Sequence, residues 1–334
     1  MSKKQLGVGL DLGTMNIVAA RQGSSGIDIR RIRDAFLDLD LSAKKMLKLS
    51  GVEFIERENE ILLIGDAALE TANVFGQEAR RPLSQGLISA GEIDAIEVLG
   101  ILVRHVLGKP SEKKEVCYFS VPAAPVDDLT RDVIYHEGVF ERIVEECGYD
   151  AVASNEAMAI IFSECAKESF SGLSISFGAG MCNIALAVNT IEGLCFSVAR
   201  GGDWIDAGAS KATGATQSKI TSIKEAGIDL LDPKTREEEA LAVYYKSLIK
   251  YCLKHIANEF NKIKGKFSLP KAIPLVISGG TSKAGGFVEF FKTVFEKESR
   301  RFPIEISEIR QARDPLNAVA LGLCVQAQTE YDGD

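Results

Sequence analysis

The 334-residue chain has one tryptophan, three histidines and no Cys-x-x-Cys pair. His105, His136 and His255 stand far apart without metal-ligand spacing, so they read as helix-surface or packing residues. The seven cysteines (Cys117, Cys147, Cys165, Cys182, Cys195, Cys252 and Cys324) are scattered and odd in number, and most lie inside apolar runs. Buried reduced thiols are expected, rather than a disulfide framework. No apolar run reaches the roughly 18 residues of a membrane span. The opening Met-Ser-Lys-Lys-Gln has neither a signal-peptide pattern nor an amphipathic-anchor pattern, and a cytoplasmic location is the expectation. Lys and Arg number 39 against 47 Asp and Glu, a formal net charge of −8, which weighs against a general nucleic-acid surface. Neither GxxxxGK[ST] nor GxGxxG occurs, which excludes the usual P-loop and dinucleotide sites.

What is present is a globular balance, 46% hydrophobic and 26% charged, long enough for two or more domains. Residues 6–11 and 17–21 are apolar runs flanking a Gly-containing turn, which describes a β-hairpin, and 27–33 offers a third strand. A polar, charge-mixed stretch, 34–60, precedes a strand at 61–64. Residues 92–107 predict a helix with Ile93, Ile96, Leu99, Val103 and Val106 on one face. A polar linker, 108–114, leads to a buried strand at 116–121. Residues 128–147 predict a helix with Ile134, Ile143, Val144 and Cys147 inward and Gly148 as its stop, and Asn155 can cap another.

The pattern then recurs. Strands at 173–177, 184–188 and 193–199 surround a second Gly turn, an echo offset by about 165 residues that reads as an internal duplication. Gly201-Gly202 opens a polar helical region. A long helix over 235–264, started by Asp232-Pro233, carries Leu241, Tyr245, Leu248, Cys252, Ile256, Phe260 and Ile263 at helical spacing. A strand at 273–278 meets Gly279-Gly280, and a helix follows Gly286. Asp314-Pro315 opens the last helix, with Ala318, Leu321 and Val325 expected inward.

Three glycine turns, at 11–16, 178–182 and 279–282, therefore close apolar strands. Glycine there lets backbone N–H groups approach a phosphate. One such turn is ordinarily structural; three in one chain point to nucleotide binding. Asp11-Leu-Gly-Thr-Met-Asn16 resembles the first phosphate loop of the actin, DnaK-chaperone and sugar-kinase superfamily. Ser154-Asn-Glu-Ala-Met-Ala159 resembles its first connecting helix, and Ser176-Phe-Gly-Ala-Gly180 its second phosphate loop. Ile277-Ser-Gly-Gly-Thr281 resembles the adenosine motif, and Asp314-Pro-Leu-Asn-Ala-Val-Ala320 the second connecting helix. The five motifs run in family order along the chain. Arg81-Pro-Leu-Ser-Gln-Gly-Leu-Ile88 and Gly201-Gly-Asp-Trp-Ile-Asp206 are further similar to the MreB and MamK bacterial actins.

The resemblance implies an α/β fold of duplicated ribonuclease-H-like type, the actin fold, with two lobes, a mixed five-stranded sheet in each, and small inserted subdomains. The first core is expected from residues 1–33, 66–150 and 314–334, with 34–65 inserted. The second core is expected from 151–206 and 270–313, with 207–269 inserted. ATP or ADP, or the guanine equivalents, and Mg²⁺ would sit between the lobes. By family position Asp11 would hold the water shell of Mg²⁺. Gly13, Thr14, Met15 and Asn16 would face the phosphates, with Gly178, Ala179, Gly180 and Met181 opposite. Glu156 would orient the attacking water. Gly202 and Asp203 would lie beside the phosphates or ribose, and Gly279, Gly280, Thr281 and Ser282 beside the adenine. Thr221 and Lys224 fall on the ribose side, with Ser218-Lys219 the alternative placement.

The second phosphate loop of the family begins with Asp, and this chain has Ser176, so hydrolysis is expected to be slow or absent. Self-assembly into a head-to-tail filament is the leading expectation, with protein adaptors as further partners. A monomeric nucleotide-gated chaperone or reactivating factor is the second reading and a sugar or acetate kinase the third. The segment 108–115, where MreB proteins place an apolar membrane loop, is polar, so no direct membrane insertion is expected.

Overall fold

The computed structural model describes residues 6–23, 26–265, 269 and 272–331; the N-terminal pentapeptide discussed above lies outside them. The chain opens with the meander β1 (Val8–Leu12), β2 (Asn16–Gly23) and β3 (Gly26–Arg33). There follow β4 (Phe36–Asp40), α1 (Lys44–Ser50), β5 (Ile55–Glu56), β6 (Glu60–Ile64) and α2 (Gly65–Phe75). A small hairpin, β7 (Leu83–Ser84) and β8 (Leu87–Ile88), precedes α3 (Ala95–Leu107), β9 (Val116–Val121), α4 (Val133–Glu146), β10 (Asp150–Asn155) and α5 (Glu156–Glu164). The second half has β11 (Gly172–Phe177), β12 (Cys182–Val188) and β13 (Ile191–Val198), then α6 (Gly202–Thr213), α7 (Gln217–Gly227) and α8 (Arg236–Ile263). It ends with β14 (Ile273–Ser278), α9 (Phe287–Glu298), β15 (Ile306–Gln311) and α10 (Ala318–Thr329).

Two five-stranded sheets result, ordered β10-β9-β1-β2-β3 and β13-β12-β11-β14-β15. Read in matching directions the orders are identical: an antiparallel meander whose first strand also pairs, in parallel, with a later strand. Each sheet has its own large apolar core, so the molecule is two-lobed and mixed α/β, with the actin-like layout expected from the sequence.

The strands and helices missed from the sequence have physical reasons. β10 (DAVASN) and β15 (ISEIRQ) are sheet edges and only partly buried, so they show no apolar run. The charge-mixed stretch after residue 33 holds β4, whose Phe36, Leu37 and Leu39 are buried while Asp38 points to Arg57. With α1, β6 and α2 it makes a separate small core of Leu37, Leu39, Leu47, Ile61, Leu63, Ala68 and Ala72.

Several inward assignments need correction. Ile93 precedes α3 and is 99% exposed, and Ile134, in the first turn of α4, is 83% exposed. The inward face of α4 is His136, Val139, Phe140, Ile143 and Val144. His136 packs edge-on against Phe140 with neither ring nitrogen bonded, and burial pushes its pKa down to about 4, so it serves as a neutral core ring. α8 starts at Arg236 under a Thr235 cap rather than at Asp232-Pro233. In α10 Leu321 and Val325 are half-buried, whereas Val319, Ala320, Gly322, Leu323, Cys324 and Ala327 are buried. That helix is apolar almost all round because it is packed on more than one side.

Those sides place the site. α10 lies on the first sheet so closely that a Cβ at Gly9 would stand 2.1 Å from the Ala320 carbonyl oxygen. It also crosses α5, where a Cβ at Gly322 would stand 1.7 Å from the Ala159 carbonyl oxygen. α5 in turn rests on the second sheet, with the Ser174 hydroxyl donating to the Ala157 carbonyl at 2.6 Å. The two sheets are thus joined through two helices in backbone contact. Among the described residues no helix is long and apolar enough to cross a membrane.

A paired substitution tests this packing. Gly322→Ala should lower stability by about 3 kcal/mol through forced separation of the helices. Gly138→Ala, on the exposed face of α4 with open space at its Cβ position, should raise it by about 0.5–1 kcal/mol. Thermal melts of the two variants should shift in opposite directions.

Candidate functional site

The β1–β2 and β11–β12 turns have the same geometry. A Cβ at Gly13 would lie 2.8 Å from the Asn16 carbonyl oxygen, and one at Gly178 would lie 2.9 Å from that of Met181. The third turn starts at Gly279, whose φ of +89° suits only glycine and whose Cβ would meet the Phe177 carbonyl oxygen at 2.4 Å. These turns face one another across a cavity of about 660 Å³. Its wall includes Asp11, Gly13, Thr14, Met15, Asn16, Glu156, Ser176, Gly178, Ala179, Gly180, Met181, Lys224, Gly279, Gly280 and Thr281. Residues from both halves of the sequence, and from all three turns, therefore meet at one place.

Four of the residues singled out from the sequence lie behind the wall. Gly202 donates its N–H to the Gly178 carbonyl at 2.9 Å, and a Cβ there would meet Thr281 Oγ1 at 2.6 Å. Asp203 donates its N–H to the Ala179 carbonyl at 2.9 Å, and its carboxylate accepts both Arg81 Nη groups at 3.4 and 3.0 Å. The Thr221 hydroxyl donates to Asp206 at 2.8 Å. Ser282 is buried, its hydroxyl donating to the Gly279 carbonyl at 2.7 Å. The first N–H groups of α6 thus hold the second turn in shape and are not free for a ligand. Lys224 reaches the wall, yet its ammonium sits 2.7 and 2.8 Å from the two oxygens of buried Asp206.

Asp11 and Glu156 form the electrostatic centre. Asp11 Oδ1 accepts the Ser120 hydroxyl at 3.1 Å. Glu156 Oε2 accepts Asn183 Nδ2 at 2.8 Å, and Asn183 Oδ1 accepts the Ala123 N–H at 3.1 Å, which fixes the amide. Burial pushes the Asp11 pKa well above the usual carboxylate range, with the Ser120 bond opposing. Burial, and then the Asp11 charge, do the same to Glu156, with Asn183 opposing. Two neighbouring half-buried carboxyl groups in one cleft call for a cation. Among the described residues no group of three or more His, Cys, Asp or Glu gathers to ligate one. The donor set fits Mg²⁺, which is held by one or two carboxylates with waters and phosphate oxygens.

The sequence reading missed Arg31, Arg33, Asp66, Asn183, Glu225 and Lys283, which also line the cavity. Arg31 and Arg33 alternate on β3 and so share a face, a signal readable once the third strand is assigned. The β7–β8 turn covers the second glycine turn: a Cβ at Gly180 would stand 2.1 Å from Gly86 N.

Two matching sheets, crossed helices between them and paired glycine turns over one cleft define an actin-like fold. Solved structures agree. A MamK double helical filament superposes with a TM-score of 0.75 at 18% identity, covering 97% of this chain and 98% of that one. MreB5 of Spiroplasma citri bound to AMPPNP gives 0.70 at 15% identity, covering 98% of each chain. The ethanolamine utilization protein EutJ of Carboxydothermus hydrogenoformans gives 0.54 at 18%, covering 95% of this chain and 88% of that one. The chain belongs to the Volactin family, whose profile matches residues 6–327. No curated protein matches it.

The carboxyl pair generates a test. A carboxyl whose folded pKa is raised subtracts stability as pH climbs from its unfolded value through its folded one. At pH 8 without metal, Asp11→Asn should therefore stabilise the fold by on the order of 2 kcal/mol. The same variant should lose most of its affinity for Mg-nucleotide. Melting curves in EDTA and a nucleotide titration check both halves.

Proposed function

We propose that this chain binds a Mg-nucleoside triphosphate between its lobes and uses it to assemble into a filament. The observation that carries the reading is the opposition of two equivalent glycine turns across a cavity whose wall also holds two neighbouring carboxyl groups. Backbone N–H groups of Gly13, Thr14, Met15 and Asn16 would meet the β- and γ-phosphates from one lobe, and those of Ala179, Gly180 and Met181 from the other, with Gly178 closing the turn through its N–H bond to the Met181 carbonyl. Gly279, Gly280 and Thr281 would flank the base, with Lys224 beside the sugar. Ser282, Gly202, Asp203 and Thr221 would support those residues from behind. Asp11 would hold the waters around Mg²⁺, which offsets phosphate charge when bound.

Glu156, whose carboxylate accepts a hydrogen bond from Asn183, would orient the attacking water. Ser176, buried at the start of the second turn, presents a neutral hydroxyl where a carboxylate would strengthen the field at that water. A slow ATPase follows. Support for the nucleotide comes from MreB5 structures bound to AMPPNP and to ADP. Support for assembly comes from the MamK filaments. Residues 1–33, 66–150 and 314–334 would move as one lobe and 151–313 as the other, with 34–65 and 207–269 as their outer parts. A cytoplasmic location suits a nucleotide-driven polymer.

Electron microscopy and pelleting of the purified protein test the reading. Filaments should form with Mg-ATP and should be absent without nucleotide. A protein that stays monomeric with bound nucleotide would contradict the filament and favour a nucleotide-gated chaperone. Ser176→Asp should raise phosphate release by about tenfold or more; an unchanged rate would contradict the role given to the missing carboxylate.

A further inference from the structure

Arg33 is the last residue of β3, and its side chain spans one edge of the cleft. Its Nε lies 3.2 Å from Asp66 Oδ1 at the start of α2, within the first lobe. Its Nη1 lies 3.2 Å from Glu225 Oε1 on α7 and 3.3 Å from Met15 Sδ in the first glycine turn. α7 is fixed to the second lobe by Ile220 and Ile223, which pack into that lobe's core. The Asp66 contact therefore holds the guanidinium in place. The Glu225 contact joins the lobes and must break when they part.

We propose that the Arg33–Glu225 ion pair is a clasp across the cleft whose rupture limits release of the bound nucleotide. This rests on the nucleotide reading above and assigns a control to that site. The alternatives at the same edge are already engaged. Lys224 is committed to Asp206 within the second lobe, whereas Arg81–Asp203 is a further ion pair between the lobes that lies behind the wall, where the Asp203 N–H also holds the second turn. The clasp is graded rather than absolute. The side chains of Arg33 and Glu225 are 24% and 43% exposed, so water and salt weaken the pair. An interaction of that strength alters a rate by a factor of a few, the range of a tunable gate.

The test is displacement of a fluorescent N-methylanthraniloyl-ATP with Mg²⁺ from the full-length protein, followed by stopped flow. Arg33→Ala and Glu225→Ala should each speed release by about fivefold. The double variant should be no faster than either single, because both remove one interaction. Raising salt from about 50 to 500 mM should speed release from the natural protein and change the variants little. Unchanged release from Arg33→Ala, or two effects that multiply in the double variant, would overturn the clasp. Uptake with these kinetics unaltered would leave the nucleotide reading standing and the clasp refuted. A natural protein that takes up no analogue would refute both.

Discussion

The contact on which the rest depends is the crossing of α5 and α10, where the Ala159 carbonyl and the Gly322 backbone leave no room for a methyl group. One helix rests on the first sheet through Gly9 and the other on the second through Ser174. Their separation therefore sets the distance between the sheets, and with it the width of the cleft into which both glycine turns project. Small side chains make this possible: Ala157, Ala159 and Ala318 are buried at the same junction. Close-packed interiors do not deform continuously, so such a junction holds a defined spacing.

On this frame the cleft is built in conflict with its own stability. Asp11 and Glu156 are both partly withdrawn from water at the cavity wall, and that desolvation raises each carboxyl pKa. A site optimised only for folding would not keep such a pair, and residues retained against local stability mark function. Their hydrogen bonds, from Ser120 and Asn183, orient the carboxyls without neutralising them. The remaining need is for positive charge and for a ligand that uses N–H groups at the tips of the glycine turns. A Mg-triphosphate answers both needs at once.

Much of this was legible in the sequence because glycine has few reasons to stand at the end of an apolar strand. Gly13, Gly178 and Gly279 were found that way, and each proves to sit where a Cβ would strike a carbonyl oxygen. The duplication was legible in the spacing of the two hairpins, whereas the paired five-stranded sheets were implied by the family resemblance and their strand order came only with the structure. Edge strands β10 and β15 were not legible, because a half-exposed strand has no continuous apolar signature. Nor was the sorting of site residues into wall and support. Gly202 and Asp203 are adjacent to the second turn, but only the three-dimensional arrangement shows their N–H groups already spent on it. Arg33 escaped notice because its partners, Asp66 and Glu225, are far apart in sequence and share no motif with it.

The central claim is that one nucleotide occupies the space between the two glycine turns. Isothermal titration of the metal-free protein with ATP, in buffers with and without Mg²⁺, tests it most directly. Saturable heat at one nucleotide per chain, strengthened by Mg²⁺ and abolished when Gly180 is replaced by valine in a protein that still melts cooperatively, is the predicted result. No heat of association with either adenine or guanine triphosphates would contradict it.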